Sequence, residues 1–463
     1  MASPLVLRLR SGILTGLRWS LLAVILALLL VKGGTPWPAV EAAAIPLGLI
    51  FALSLLEAPR NADIGRFMAL AFGFATLLAL YVGFQALPLP GGLLANPIWS
   101  APGERLGLDI AGSVSVVPGQ SPWSLLRLLM PFVVFLTALA LFQYEKDTVL
   151  LWKCIAGLGT AFALYGILQL LLFPSWLLFE EKRFYTSNLS GTLVNRNSAA
   201  TLLGLTFLAT LALFRREIRR GRQSSGPDVK RYQIGPFRPT REALVWAGAG
   251  VLQVLAIGMT ASRGGLLSTA AATVLAVPLL DFRLFRDRIR NRFVIAAVVG
   301  LLVLLVAEVF AGRTLFRLEA GESEGRLCAF RSTVEAAMTN LPFGTGLGSF
   351  QDVFPSFRDP ACFITGTWEL AHNSYLENLL ELGLPYVVFL VAGLVAVVSA
   401  LRTGLAGRRE YRPFVVAGLA GTLLVTVHAT VDFSLQIPAV TALYALMLAS
   451  AIAVALGRGR VPR

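Results

Sequence analysis

Histidine is the side chain best suited to proton transfer near neutral pH, and this sequence contains only two, His372 and His428. His372 lies in the stretch AHNSYLENLLELGLP, residues 371–385, next to an apolar segment. A neutral imidazole can act as a general base toward a hydroxyl group. His372 is therefore our candidate base, and the alternative is a solvated or structural histidine. His428 is interpreted as a packing residue at a helix end.

Two arginines lie where helices are predicted to begin, and arginine binds phosphate oxygens through paired hydrogen bonds. Arg196 lies in SNLSGTLVNRNSAATLLG (187–204) and Arg263 in GMTASRGGLLS (258–268). Helices that begin near 196, 264 and 374 should point their N-termini to one side, and such ends attract anions. We predict a phosphate or pyrophosphate site there. The alternative is that each arginine anchors its helix at the membrane interface by snorkelling.

A polar segment, residues 312–377, carries two further candidates, Arg326 and Arg331, on a helix predicted over 326–340 and ended by Pro342. Long structured loops are usually functional. Both arginines are candidates for phosphate binding. The alternative is ion pairing with nearby glutamates of the same segment, namely Glu322, Glu324 and Glu335.

Polar residues next to these candidates form a predicted supporting set. Ser374 and Glu377 have the S-x-x-E spacing of a capping box, which would hold His372 in a defined turn. The positive cluster nearby favours a neutral His372. Asp432 either supports the site or caps the last helix. The supporting residues are Asn373, Ser374, Tyr375, Asn197 and Asp432.

The sequence contains no metal-ligand set, P-loop or G-x-S-x-G motif, so we predict neither a cofactor nor a bound metal. Apart from Lys153, Glu41 and Glu308 near span ends, the predicted spans are interpreted as almost free of charge. Ion-coupled transporters usually carry intramembrane charges and broken helices. Neither feature is evident, which disfavours a transporter.

The elements that position these residues must be membrane helices. The chain is 56% hydrophobic and 14% charged, whereas soluble domains carry about 25% charged residues. Continuous apolar runs long enough to cross a bilayer favour an all-α polytopic bundle over a barrel. The first run is interpreted as a retained helix. We predict twelve spans: 16–32, 39–56, 66–84, 123–143, 148–173, 196–214, 243–260, 264–281, 293–311, 378–401, 413–431 and 437–457.

The net charge of +14 is distributed as a topology signal. Lysine and arginine concentrate in segments 215–241 and 283–292, which the positive-inside rule places in the cytoplasm with both termini. These loops lack the interleaved aromatic residues of a nucleic-acid platform, so anionic membrane lipids are the expected partner, and nucleic acid is not.

Three regions follow from this topology: 1–311 with spans one to nine, 312–377 as a large outside loop domain, and 378–463 with spans ten to twelve. Cys328 and Cys362 fall in that loop. They either pair as a disulfide in an oxidising compartment or remain as two free thiols.

Four motifs occur in the order of one known family. AHNSYLENLLELGLP resembles the histidine motif of the O-antigen ligase and polymerase superfamily, and GRLCAFRSTVEAAMTNLPFGTGLGSFQDVF resembles its loop segment. TASRGG is similar to its S-R-G turn, and GTLVNRNSAA to its N-x-N helix start. The resemblance covers roughly residues 180–440. It implies a fold like that of the C-type membrane glycosyltransferases, in the bacterial inner membrane, with the site facing the periplasm.

The resemblance implies a metal-independent, inverting glycosyltransferase of lipopolysaccharide biosynthesis. A ligase of this family moves a glycan from undecaprenyl pyrophosphate to a sugar hydroxyl of lipid A–core oligosaccharide. The family histidine corresponds to His372, and its arginines correspond best to Arg263 and Arg331, with Arg326 as the competitor. Arg196 lies where many relatives differ. The alternatives are an O-antigen polymerase, a protein O-oligosaccharyltransferase and, from another class, a lipid-linked glycan flippase.

Overall fold

Long apolar helices make up most of the computed structural model, which describes residues 4–89, 92, 94–224, 240–280, 320–362, 366–407 and 411–457. Ten described helices are long and apolar enough to cross a membrane, and an eleventh apolar helix is shorter. The helices are α1 (Pro4–Leu30), α2 (Trp37–Ser54), α3 (Ala62–Ala86), α4 (Ser100–Leu106), α5 (Ser121–Leu141), α6 (Glu145–Leu172), α7 (Arg196–Ser224), α8 (Arg241–Met259), α9 (Arg263–Leu280), α10 (Ala320–Thr339), α11 (Phe350–Phe357), α12 (Ser374–Gly407), α13 (Arg412–His428) and α14 (Pro438–Leu456).

The prediction of an all-α polytopic membrane protein is confirmed. Every predicted span except 293–311 coincides with a described helix. The span 293–311 lies outside the described residues, so the number twelve stays a prediction. Helix α7 continues to Ser224, past the predicted loop boundary at 215, because the run RREIRR consists largely of good helix formers.

Helices α7 and α14 form the centre of the bundle. In their most apolar 18-residue windows, 83% and 89% of the residues are buried inside the protein, compared with 11% in α3. Helix α7 packs against α6, α8 and α13, and α14 packs against α5, α12 and α13. Helix α14 is apolar around its whole circumference, as expected for a helix without a solvent or lipid face. The N-terminus of α7, with Arg196, is therefore held by the best-packed part of the molecule.

The large loop has a small apolar core of its own. Helices α10 and α11 pack against the segment before α12 through Ala329, Ala336, Phe350, Phe354 and Ala371. A disulfide joins Cys328 of α10 to Cys362, with the two Cα atoms 6.1 Å apart. Helix α10 ends at Thr339, before Pro342, as predicted. The loop domain boundaries stay predictions, since residue 311 is not described and α12 already begins at Ser374.

A break divides α12 at Gly383, whose φ of 64° and ψ of −154° are not helical. The loop 342–349 fills the break. Thr345 N–H and Gly346 N–H donate to the carbonyls of Leu380 and Glu381, both at 2.9 Å. Gly344 (φ 76°) is required there, because a Cβ on it would lie 2.6 Å from the Glu381 carbonyl oxygen. No broken helix was expected from the sequence, and this break corrects that expectation.

A two-stranded hairpin follows α6 and leads toward α7. It pairs β1 (Trp176–Leu177) with β2 (Glu180–Glu181) in antiparallel register, Trp176 opposite Glu181. The segment after it reaches the α8–α9 turn, where Leu189 N–H donates to the Met259 carbonyl at 2.9 Å. This contact brings residues 182–196 next to the start of α9.

Candidate functional site

Three helices begin at the candidate site, and each is capped by a polar side chain just before its first residue. Asn195 Oδ1 accepts from Asn197 N–H and Ser198 N–H at the start of α7. Ser262 Oγ accepts from Gly265 N–H at the start of α9. These caps occupy first-turn N–H groups. The helix dipoles remain, but the arginine side chains become the stronger donors for an anion.

At the start of α12 the cap is Asn373. Its Oδ1 accepts from Tyr375 N–H at 3.0 Å and from Leu376 N–H at 3.1 Å. Ser374 is the first helical residue instead. The predicted capping box of Ser374 with Glu377 is therefore wrong, because asparagine one position earlier supplies an equally good cap. The prediction that the turn before α12 is fixed remains correct.

The starts of α7 and α9 are in contact, and the segment after α13 connects them to the start of α12. A Cβ on Gly265 of α9 would lie 2.4 Å from Cβ of Ala200 in α7, so the two first turns touch at a glycine. Asn197 of α7 donates to Asp432. Ser374 of α12 donates its main-chain N–H to the Ala429 carbonyl at 3.0 Å. The structure thus brings together the N-termini expected from the sequence.

Asp432 connects these elements. It is fully buried, its Oδ1 accepts from Asn197 Nδ2 at 3.0 Å, and its Oδ2 accepts from Ser434. Its carbonyl oxygen accepts from the Ser374 hydroxyl at 3.0 Å. Asp432 does not cap α14, which begins at Pro438. Asp432 lies between α7 and α12, and its supporting role stays a prediction.

His372 lies in the turn before α12 with a φ of 56°. Its ring packs edge-on against Trp368, at a centroid distance of 5.6 Å, and against Phe433, at 4.8 Å. The residue is half-buried. The imidazole is thus held between two aromatic walls rather than free to rotate in solvent, which excludes the simple solvated histidine but leaves a structural role open.

The neighbours of His372 fix this turn to α13 and to the segment after it. Asn373 Nδ2 donates to the Thr430 carbonyl at 2.9 Å. The Tyr375 hydroxyl donates to the Thr426 carbonyl at 2.7 Å. Together with Ser374, these predicted supporting residues hold the turn in place through their polar atoms.

His428 takes part in a buried polar chain. It is 1% exposed, and its Nδ1 lies 2.6 Å from Thr201 Oγ1, which donates to Ser434 Oγ at 2.9 Å. Ser434 donates to Asp432, a carboxylate that only accepts. The packing role predicted for His428 therefore extends to a buried hydrogen-bonded chain that ends at Asp432.

The arginines at the helix starts differ in environment. Arg196 is 9% exposed, its Nη1 donates to Asn188 Oδ1 at 3.3 Å, and its guanidinium lies 5.2 Å from the Tyr185 ring centroid. Arg263 is exposed at the first position of α9. Arg196 is enclosed by protein, so it does not resemble a lipid-facing anchor. Arg263 is exposed at the helix start and is accessible to a ligand.

Arg326 and Arg331 lie on different faces of α10. Five residues of a helix turn through about 500°, which places the two side chains about 140° apart. Arg331 is exposed and Arg326 is half-buried. Arg326 also lies within electrostatic range of His428, next to the chain that leads to Asp432. Arg326 is therefore the loop arginine that lies near His428, and Arg331 lies on another face of α10.

Lys182 is a site neighbour that the sequence reasoning missed. It is 3% exposed and its Nζ donates to the Asn188 carbonyl at 2.8 Å, so Lys182 and Arg196 both bind Asn188. Burial lowers the pKa of Lys182 to about 8. Its sequence context, EEKRF, is that of an ordinary polar loop and gives no sign of burial.

Two buried glutamates also escaped the sequence reasoning. Glu377 and Glu381, on the first two turns of α12, are 4% and 6% exposed. Glu381 lies inside the predicted span 378–401, so the expectation of nearly charge-free spans is wrong there. Its Oε1 accepts from Phe350 N–H at 3.0 Å, at the end of the loop that fills the helix break. A glutamate in an apolar run is the signal that should have been noted.

Residues 248–391 match the family model described as O-antigen ligase. This segment contains Arg263, both loop arginines and His372, and it confirms the resemblance stated from the motifs. None of the curated proteins compared matches the chain. Among the residues that the structure describes, no group of three His, Cys, Asp or Glu side chains could hold a metal ion, and metal independence stays a prediction.

Proposed function

We propose that this membrane protein, whose residues 248–391 match the family model described as O-antigen ligase, transfers a glycan from undecaprenyl pyrophosphate to a sugar hydroxyl of lipid A–core oligosaccharide. The family supports ligase- or polymerase-type glycosyl transfer with a lipid-linked glycan in general. One observation carries the finer proposal. His372, held between two aromatic rings, lies in the turn before α12, and this turn is hydrogen-bonded to the same segment, 429–432, as the start of α7. Arg196 and Arg263 begin α7 and α9, which contact each other near their starts.

In the proposed reaction, the acceptor hydroxyl oxygen attacks the anomeric carbon of the donor glycan. The bond between that carbon and the pyrophosphate oxygen breaks, and its electron pair leaves with undecaprenyl pyrophosphate. His372 takes the hydroxyl proton and later releases it to water. A single displacement of this kind inverts the anomeric carbon. The sugar–pyrophosphate bond supplies the driving force, so no nucleotide is needed on the periplasmic side.

The arginines would stabilise the charge that develops on the leaving pyrophosphate. Arg263 is the first candidate because it is exposed at the start of α9. Arg326 is the second because it lies within electrostatic range of His428, next to the polar chain that leads to Asp432. Arg196, already bound to Asn188 and stacked on Tyr185, would act from a fixed position. Arg331 is retained as the residue that the motif comparison favours.

The supporting residues would preorganise the base rather than touch the reacting atoms. Asn373 caps α12, Ser374 binds the Asp432 carbonyl, and Tyr375 binds the Thr426 carbonyl. Asn197 and Asp432 connect α7 to the same turn. A base must be held within a small range of positions to act on a bound hydroxyl, and these contacts restrict the backbone on both sides of His372.

The test is reconstitution of the purified protein in liposomes with lipid-linked glycan and lipid A–core. Wild-type protein should form the glycosylated product, and His372→Ala should lower the rate by about 10²- to 10⁴-fold, the usual contribution of a general base. Arg263→Ala should lower the rate strongly. Arg263→Lys should give an intermediate rate, because lysine keeps the positive charge but lacks the paired N–H donors of the guanidinium group. Arg105→Ala, at the exposed end of α4, is a matched control and should remain near wild type.

Product identity separates the remaining alternatives. Turnover only with a second lipid-linked glycan would identify a polymerase, and turnover only with a protein acceptor would identify a protein O-oligosaccharyltransferase. Movement of the lipid-linked glycan across the bilayer without any new glycosidic bond would identify a flippase. A His372→Ala protein that works like wild type would exclude His372 as the base.

A further inference from the structure

Glu377 is a buried carboxylate on the first turn of α12, five positions after His372. It is 4% exposed. Among the described residues, no lysine or arginine lies within salt-bridge distance of it. A buried carboxylate without a cation must be held by hydrogen bonds, because its desolvation is costly. Such a buried carboxylate is retained only where its hydrogen bonds hold groups that an apolar side chain could not hold.

Two hydrogen bonds hold Glu377, and each leads to a different part of the His372 environment. Its Oε2 accepts from the main-chain N–H of Ala371 at 2.6 Å. Its Oε1 accepts from Gln436 Nε2 at 2.7 Å. Ala371 directly precedes His372. Gln436 donates its main-chain N–H to the Phe433 carbonyl at 2.8 Å, and Phe433 forms one aromatic wall of the imidazole.

The backbone of His372 needs this kind of restraint. Its φ of 56° lies in the left-handed region, which costs an L-residue other than glycine roughly 1–2 kcal/mol. A residue keeps this backbone conformation only when several surrounding contacts hold it in place. The Asn373 cap fixes the chain after His372. Glu377, through Ala371, fixes the chain before it.

We propose that Glu377 is the positioning residue of the base, fixing the main chain of His372 and, through Gln436, the aromatic wall formed by Phe433. This inference rests on the proposed role of His372 in glycosyl transfer. Glu377 touches neither substrate nor reacting atoms. It acts only through His372, and this restriction makes the inference testable.

Glu381 provides a matched comparison one turn further along α12. It is almost as buried, at 6% exposed, but its Oε1 accepts from Phe350 N–H of the loop that fills the helix break. Loss of either carboxylate leaves buried N–H groups unsatisfied, so both variants should lose stability. Only loss of Glu377 should act through His372.

The experiment measures kcat, KM for the lipid-linked donor, and thermal stability in the reconstituted system for Glu377→Ala, Glu377→Gln, His372→Ala and the double variant. Glu377→Ala should lower kcat by about tenfold to a hundredfold, the effect of misplacing a catalytic group by about 1 Å, with KM within about twofold. Glu377→Gln should recover much of the rate. Its amide oxygen can accept from Ala371, and a turned Gln436 amide can accept from its NH₂ group.

The decisive measurement is the residual rate of the double variant. In the His372→Ala background, Glu377→Ala should change the residual rate by less than about twofold, because a positioning residue has nothing left to position. Glu381→Ala should lower the residual and wild-type rates by the same factor. If Glu377→Ala lowers both rates equally, or leaves the wild-type rate unchanged, the proposal is wrong.

Two further arms keep the outcome interpretable. If Glu377→Ala does not fold, Gln436→Met removes one of the two bonds and should lower kcat about threefold to tenfold with KM unchanged; an unchanged kcat overturns the proposal. If His372→Ala retains full activity, the base assignment itself fails. If His372→Ala is inactive while Glu377→Ala and Gln436→Met are fully active, only the positioning role fails.

Discussion

Asn197 Nδ2 donates to Asp432 Oδ1 over 3.0 Å, although the two residues lie 235 positions apart in the chain. This bond connects the first turn of α7 to the segment between α13 and α14. The carbonyl of the same aspartate accepts from Ser374 at the start of α12. One buried aspartate thereby sets the relative position of two helix starts at the candidate site.

Replacing Asp432 should destabilise this junction. Asp432→Ala leaves the Asn197 amide and the Ser434 hydroxyl buried without their acceptor, at about 1–3 kcal/mol for each group. Asp432→Asn retains one acceptor oxygen and should cost less. Thermal unfolding in detergent measures both. The double variant with Asn197→Ala should be less destabilised than the sum of the single variants; strict additivity would show that the bond contributes nothing.

The loop arginines should differ in their contribution to the rate. We expect Arg326→Ala to lower the initial rate of transfer by about 10²-fold, typical of a lost electrostatic contact to a developing charge. Arg331→Ala should cost less than about threefold because Arg331 points to another face of α10. A larger loss in Arg331→Ala than in Arg326→Ala would return the assignment to the residue favoured by the motif.

Lys182 should make the free energy of unfolding depend on pH in the alkaline range. Burial lowers its pKa to about 8, whereas the unfolded chain restores a pKa of about 10.4. Between these values the unfolded state binds more protons, so stability from this group rises with pH. Its destabilising effect is complete below pH about 8 and absent above about 10.4.

The melting temperature of wild type relative to Lys182→Met should therefore shift in favour of wild type as pH rises through this window. Lys153→Met controls for general effects of pH, since the ammonium of Lys153 is 38% exposed and paired with Glu242. A wild-type advantage that stays constant, or falls, would contradict the burial effect.

The Cys328–Cys362 disulfide should be detectable and stabilising. Non-reducing peptide mapping should recover the linked pair and leave Cys154 as a free thiol. The bond closes a sequence separation of 34 residues, so removing it should cost about 2–4 kcal/mol. Cys328→Ser and the double serine variant should lose similar stability, while Cys154→Ser should not. Two free thiols in the native protein would overturn the assignment.

Metal removal should leave transfer unaffected. We expect full activity in EDTA because arginine side chains provide the positive charge that a metal supplies in other glycosyltransferases. The measurement is the initial rate before and after chelation. A loss of activity that magnesium restores would show that a metal takes part.

Sequence patterning predicted most of the helices, because a bilayer span requires a long apolar run that no other local structure needs. It also placed the starts of α7, α9 and α12 on one side. It could not choose between Arg326 and Arg331, since the rotation of α10 about its axis depends on tertiary contacts. It did not find the break at Gly383, because the run LGLPYVV (382–388) remains apolar across it. The contacts of Asp432 and Glu377 join distant segments and leave no local pattern.

The wrong capping box shows the same limit at a finer scale. Asn373 and Ser374 are both good N-cap residues, and sequence alone could not show that Ser374 would bond instead to the Asp432 carbonyl. That tertiary bond moves the helix start by one position. Glu377 can then reach back to Ala371, a contact that local propensity does not predict.

The break at Gly383 divides α12 into two mechanical parts. The first part, Ser374–Leu382, is hydrogen-bonded through Leu380 and Glu381 to the loop 342–349, which joins α10 to α11. It is also bonded to the segment after α13 through Ser374. The second part continues as an apolar helix that packs against α14. The two parts of α12 are therefore held by different partners, and the histidine turn depends on the contacts of the first part alone.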